Sequence, residues 1–212
     1  MITTKRPKIK ETVGALYYAF NQMTETEEFN PKAYEQTVKS EVVKTITTTD
    51  NATTTTVRAS GRDYETVNQS ASVENEVEVI ALDPEDLSKM KGDDIHPNGL
   101  VLGGAPNKRP FFAFGKVVKK VGGAVEYVWY PKCQLTENTD EATTSEEEFS
   151  EQTDTATITA YAFDDAGHTS VRVNSEMASF PKGLTEEKFF DTPILDDAGL
   201  TAATSPETTP SV

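Results

Sequence analysis

The chain has 212 residues, with 20 lysines and arginines against 35 aspartates and glutamates, for a formal charge of -15. That balance lacks the electrostatic footprint of a nucleic-acid or anionic-membrane binder, and the single cysteine, Cys133, excludes an internal disulfide framework. No apolar run reaches signal-peptide length or the roughly 18 residues of a membrane span, since Glu11, Thr12, Gly14 and Asn21 interrupt the early Val13 to Phe20 patch; a protein made in a reducing cytoplasm is expected. A hydrophobic share of 36% in a chain of this length suits one β-domain with much exposed strand and arm surface.

Residues 1–45 read as an N-terminal arm and loop region, holding the short apolar patch, Pro31 and a helical turn around Lys32 to Lys44. From Ile46 the text becomes Thr-rich: Ile46 to Thr49 and Thr53 to Ser60 read as two strands joined by a turn at Asp50-Asn51. A further strand follows Gly61 from Arg62 to Ser70. The clearest alternation is Val73 to Leu82, where Val73, Val77 and Val79 point one way and Glu74, Glu76 and Glu78 the other. Asp83-Pro84 then caps a short helix that carries Glu85 and Asp86 in its first turn and ends at Gly92. Leu82, Leu87 and Met90 give that helix a face to dock on a sheet.

Asp93 to Pro110 is a loop by its Gly and Pro content. Phe111 to Val121 and Ala124 to Leu135 form a hairpin about Gly122-Gly123, with Val125, Tyr127, Trp129 and Cys133 on the core-facing parity. Thr136 to Glu148 reads as an acidic loop. Phe149 to Phe163 is a long strand in which Thr155, Thr157 and Thr159 alternate with Ala156, Ile158 and Ala160; a turn at Asp164 to Gly167 and a last strand, Thr169 to Asn174, follow. Thr185 caps a short helix over Leu184 to Phe190, and residues 191–212, rich in Thr, Pro and Ala, read as a flexible tail. The domain proper is therefore 46–190, with Val77, Val79, Tyr127, Trp129 and Ile158 in its core.

Few residues offer chemistry. His96 and His168 both lie in loops, and no Ser-His-acid or Cys-His spacing exists. Asp93-Asp94-Ile95-His96 is a solvated loop before it is a metal cluster, because two adjacent carboxylates and one imidazole define no coordination number. Gly103 to Arg109 lacks the Gly-Lys-Ser/Thr ending of a phosphate loop. Lys116, Lys119 and Lys120 flank a hairpin tip, and Cys133 sits in an apolar strand as a small core residue. No enzyme activity, cofactor or metal is expected.

The order of elements resembles that of the major tail proteins of siphophages infecting Gram-positive bacteria. The stretches that carry the resemblance are Val13 to Ala19, Gly61 to Tyr64, the strand and Asp-Pro-capped helix from Val73 to Lys91, and Phe111 to Gln134 leading into the Thr-rich strand. The resemblance implies a tail-tube β-sandwich with a flanking helix, whose inner sheet joins its neighbours in a hexameric ring. Rings stack into a virion tail tube that conducts genomic DNA, with tape measure, tail terminator and distal tail proteins as further partners and no membrane. It also implies an arm reaching the next ring; the candidates are the N-terminal segment and Thr45 to Ser60, within it Thr45, Thr48, Asp50, Asn51 and Thr54. Glu74, Glu76 and Glu78 are candidates for the lumen wall, where carboxylates would repel a polyanion, or else form a wet outer face. A β-rich surface adhesion or pilus-like module is the rival reading, and a carbohydrate-processing enzyme on a β-scaffold would need two converging carboxylates.

Overall fold

Paired glycines and a serine set the two long hairpins. Gly122 and Gly123, at φ 78° and 75°, close the turn between β7 (Phe112–Lys120) and β8 (Ala124–Thr139). Ser60 and Gly61, at φ 54° and 76°, close the turn between β3 (Val43–Ala59) and β4 (Arg62–Val79). Positive φ at both central residues matches the right-handed twist of the flanking strands. The computed structural model describes residues 5–26, 28–142, 144 and 151–205, and the backbone alone at 53–55 and 66–71. The fold is mainly β, with a large antiparallel sheet and few short helices, consistent with the expected β-sandwich.

Two units divide the chain, one of Met1–Glu41, Ala113–Pro131 and Ser170–Val212, the other of Val42–Phe112 and Lys132–Thr169. Strand β8 supplies its first half to one and its second half to the other. In the first unit β1 (Lys10–Phe20) pairs with β2 (Val38–Ser40), and the first half of β8 pairs with β10 (Val171–Asn174). The aromatic run of β1 explains its position: Leu16 to Phe20 is buried along its whole length. Helix α2 (Glu186–Phe190), capped by the Thr185 hydroxyl, drives Phe189 and Phe190 into a core with Tyr17, Val117, Tyr127 and Trp129. Tyr17 and Phe190 stack at 4.0 Å, and the Trp129 indole N–H donates to the Phe189 carbonyl at 2.9 Å. Fully burying each such ring contributes about 2–3 kcal/mol.

In the second unit the order is β8, β9 (Asp154–Ala160), β4, β3, all antiparallel. Helix α1 (Pro84–Lys91) begins at Asp83, whose carboxylate accepts from Glu85 and Asp86 N–H groups, and ends at Gly92 in the left-handed region. Its Met90 is buried, as its apolar face required. The small pair β5 (Asp94–Ile95) and β6 (Val101–Leu102) lies in the Gly/Pro-rich segment read from sequence as a loop. Val77, Val79, Tyr127, Trp129 and Ile158 are all buried.

Several expectations are corrected. Residues 10–45, as far as they are described, are not an arm: β1 is a core strand, and in place of a helical turn the chain after Pro31 forms β2, where Thr37, Val38, Val42 and Val43 favour extended backbone. Buried Asn21 organises the connecting loop, donating to the Asn30 and Ala33 carbonyls and accepting from Asn30 N–H. Asp50-Asn51 is not a turn: β3 runs through it with only a register irregularity, because a threonine-rich strand with a partner along its full length keeps pairing. Strand β8 continues to Thr139, beyond the expected start of the acidic loop, while β9 is shorter than Phe149 to Phe163. The expected tail from Asp191 is ordered as far as Ser205: Ile194 is buried and α3 (Asp197–Thr204) starts at an Asp196 cap. Residues 206–212, 143 and 145–148 of the acidic loop, and 149–150 at the start of the expected long strand lie outside the described residues.

Candidate functional site

The pairing register of the second unit assembles its most ordered surface. Val73, Asn75, Val77 and Val79 face inward on β4, so Glu74, Glu76 and Glu78 share the opposite face, with successive carboxylate-bearing residues about 7 Å apart along the strand. Glu74, Glu76 and Glu78 lie opposite Thr49, Thr47 and Thr45 on β3, and opposite Thr159, Thr157 and Thr155 on β9. A column of glutamates is thus flanked by two columns of threonines. Beyond β9, Gln134, Glu137 and Thr139 of β8 continue the same rows. Glu74 and Glu76 are exposed; Glu78 is half-buried, accepting from the Thr153 hydroxyl at 3.1 Å, with the Lys44 ammonium at 3.9 Å. Lys44 itself pairs more closely with Glu151, at 3.1 Å.

Strand β3 is the end strand of this order and, among the described residues, pairs with β4 alone. Its outward N–H and C=O groups form an edge open to another strand. Strand β4 is flanked on both sides only over Val73–Val79, where β9 joins it. From Asn51 and Ser72 outward, β3 and β4 pair only with each other, so a two-stranded ribbon projects by about 30 Å to the Ser60-Gly61 turn. Arg58 and Asp63 pair near its tip at 2.8 Å, and Val57 and Tyr64 stand out into solvent, Tyr64 at 76% exposure.

The arm candidates fall into two groups. Thr45, Thr48 and Asp50 belong to the edge strand beside the glutamates and not to a loop, and Thr48 donates to the Asn75 side chain at 2.7 Å. Asn51 stands at the root of the ribbon, and Thr54 lies within it, opposite Asn68. What single-strand periodicity missed is the threonine lattice. Thr45, Thr47, Thr49, Thr155, Thr157 and Thr159 gain meaning only from pairing over about 30 and 80 residues of chain, visible in sequence as no more than a shared alternation.

Two hollows among the described residues are lined mainly by polar groups. One, of about 640 Å³ in the first unit, is lined by Tyr17, Lys39, Lys119, Glu186, Glu187 and Asp191 among others. Its groups engage one another: Tyr17 donates to Glu186 at 2.7 Å, and Lys39 holds Glu41 at 2.6 Å. Burial, then the Glu186 hydrogen bond, push the Tyr17 hydroxyl well above its ordinary range, so it stays protonated. A smaller hollow of about 240 Å³ in the second unit lies beside Lys91, Asp93, Arg109 and Asn138. Asp93, Asp94 and His96 belong to no cluster of three or more possible metal ligands among the described residues. His168 contacts Asp164 at 2.6 Å in an exposed turn, and Cys133 is a buried free thiol. No helix among the described residues is long and apolar enough to cross a membrane.

No protein-family model matches this chain, and a search of curated proteins returns no significant relative.

Proposed function

We propose that this protein is a self-assembling structural subunit, the tail-tube protein of a long-tailed bacteriophage, and that Glu74, Glu76 and Glu78 line the tube. The observation that carries the reading is the coincidence of three features in one unit: the wet Glu/Thr face, the uncovered β3 edge beside it, and the ribbon that extends the same two strands. An open edge of Thr-rich strand without proline is a template for pairing, and a second copy is the partner that satisfies it. Closing such sheets into a ring abolishes every edge and turns one face inward. A face of hydrated carboxylates and hydroxyls suits a water-filled bore, since DNA meets repulsion there and the Lys44 ammonium beside Glu78 is already held by Glu151. A two-stranded ribbon is marginal in water by itself, and docking on an adjacent ring covers it.

The test is the triple variant Glu74→Lys, Glu76→Lys and Glu78→Lys, examined for assembly and DNA passage. Tubes that form normally but hold DNA, with salt releasing it, support the reading. Tubes whose DNA passage is unchanged by the reversal of three charges contradict the lumen assignment.

A further inference from the structure

We propose that Asn98, in the turn between β5 and β6, is a site of spontaneous intramolecular deamidation. Asn98 is the one asparagine of this chain followed by glycine. It lies on an exposed turn in which Gly99 adopts φ 83° and its N–H donates to the His96 carbonyl at 3.0 Å, so attack by that nitrogen requires only this one turn bond to open. The Leu100 N–H donates to Asn98 Oδ1 at 3.1 Å. That bond folds the side chain back along its own backbone and draws electron density from the amide carbon, which makes the carbon a better electrophile.

The other asparagines whose side chains are described differ, Asn51 and Asn138 being strand residues of β3 and β8 followed by Ala52 and Thr139. Asn30 precedes Pro31, which has no N–H to attack with. Asn21 is buried, and its amide donates to two carbonyls. Asn75 is buried, Asn107 donates to the Gly92 carbonyl, and Asn174 reaches Glu126; each is followed by a residue whose Cβ crowds the peptide nitrogen.

In the first step the Gly99 nitrogen bonds to Asn98 Cγ, the Cγ–Nδ2 bond breaks, and the amide nitrogen leaves as ammonia with the proton lost by Gly99. The product is a succinimide. Water then opens the ring: cleavage at the side-chain carbonyl gives aspartate, and cleavage at the main-chain carbonyl gives isoaspartate. Either product adds a carboxylate beside the exposed Ile95, Leu100, Val101 and Leu102. Isoaspartate also inserts a carbon into the main chain of a ladder only two residue pairs long, Asp94 with Leu102 and Ile95 with Val101. The hairpin register is lost there.

The experiment ages the purified full chain in mildly alkaline buffer, folded and in urea, and follows the peptide spanning 93–104 by mass spectrometry and an isoaspartate-specific methyltransferase label. The expected result is loss of the unmodified peptide in favour of aspartyl and isoaspartyl forms in the folded chain, slower than in urea, where no turn bond holds the Gly99 nitrogen, but ahead of the other asparagines. The signal disappears in Asn98→Gln, whose longer side chain closes a less favourable ring, and slows in Gly99→Ala. Asn98 staying intact in the folded chain, or being converted there more slowly than Asn174, overturns the proposal.

Discussion

Gly115 marks the tightest approach in the core of the first unit. A Cβ there would lie 2.7 Å from Phe190 Cε1 and 3.0 Å from Trp129 Cε3, Phe190 being stacked on Tyr17 and Trp129 held by its hydrogen bond to the Phe189 carbonyl. Gly115→Ala is therefore expected to destabilise by about 1–3 kcal/mol, read as a lower denaturant midpoint at unchanged slope. The next residue, Lys116, faces the other way, with its ammonium 5.5 Å from the Tyr130 ring centre. Burial, then the charge of Lys10, lower its pKa from 10.5 to about 8. Between those values the unfolded chain binds the extra proton, so this residue makes stability rise as pH climbs from about 8 toward 10.5. Lys116→Met is expected to abolish that rise and to add about 2 kcal/mol at neutral pH, as urea titrations across the range would show. Lys120 on the same strand behaves oppositely. Its hydrogen bond to Glu176 raises the lysine and lowers the carboxylate, so that contribution is lost as pH falls through the depressed carboxylate value or rises through the elevated lysine value.

Elements divide by whether local chemistry or distant pairing made them. Helix α1 was legible because Asp83, Pro84 and Gly92 act within one turn of the backbone they terminate, and the β7–β8 turn because two adjacent glycines supply the positive φ. The alternation of β4 was legible for the same reason: burial on one face repeats every second residue. Strand β1 was not, since a run buried on both faces loses the alternation that marks a strand and resembles any short apolar patch. Nor was α3, whose Leu200 and Ala203 are partly buried only because the first unit offers them a surface. Asp50-Asn51 misled as a turn because its chemistry is turn-like, yet Val73 and Ser72 hold both residues in the β3–β4 ladder. The ribbon that results yields its own prediction. Replacing residues 52–71 by a short glycine-rich turn leaves β3 and β4 paired over Thr45–Asn51 and Ser72–Glu78, so the shortened chain should keep its cooperative unfolding and lose only the strand signal of the removed residues, but fail to form tubes. Tubes of normal length from that variant would remove the ribbon from assembly.

At the scale of the whole molecule, 15 net negative charges oppose association of copies with one another as well as with DNA. Assembly by strand pairing and apolar burial must overcome that repulsion, and salt screens it over about 10 Å. Raising ionic strength is accordingly expected to promote assembly, measured as an increase in sedimenting or scattering species, whereas an interface held by exposed ion pairs would weaken. The Glu/Thr face sets neutral threonines on both sides of the glutamate column, so no further like charge lies directly across the ladder from any of the three. The central claim is that the chain builds a tube from copies of itself. Negative-stain microscopy of the purified protein at high concentration, with salt raised, tests it most directly: rings or uniform tubes with an open bore are expected, and a monomer that persists under every condition contradicts the account.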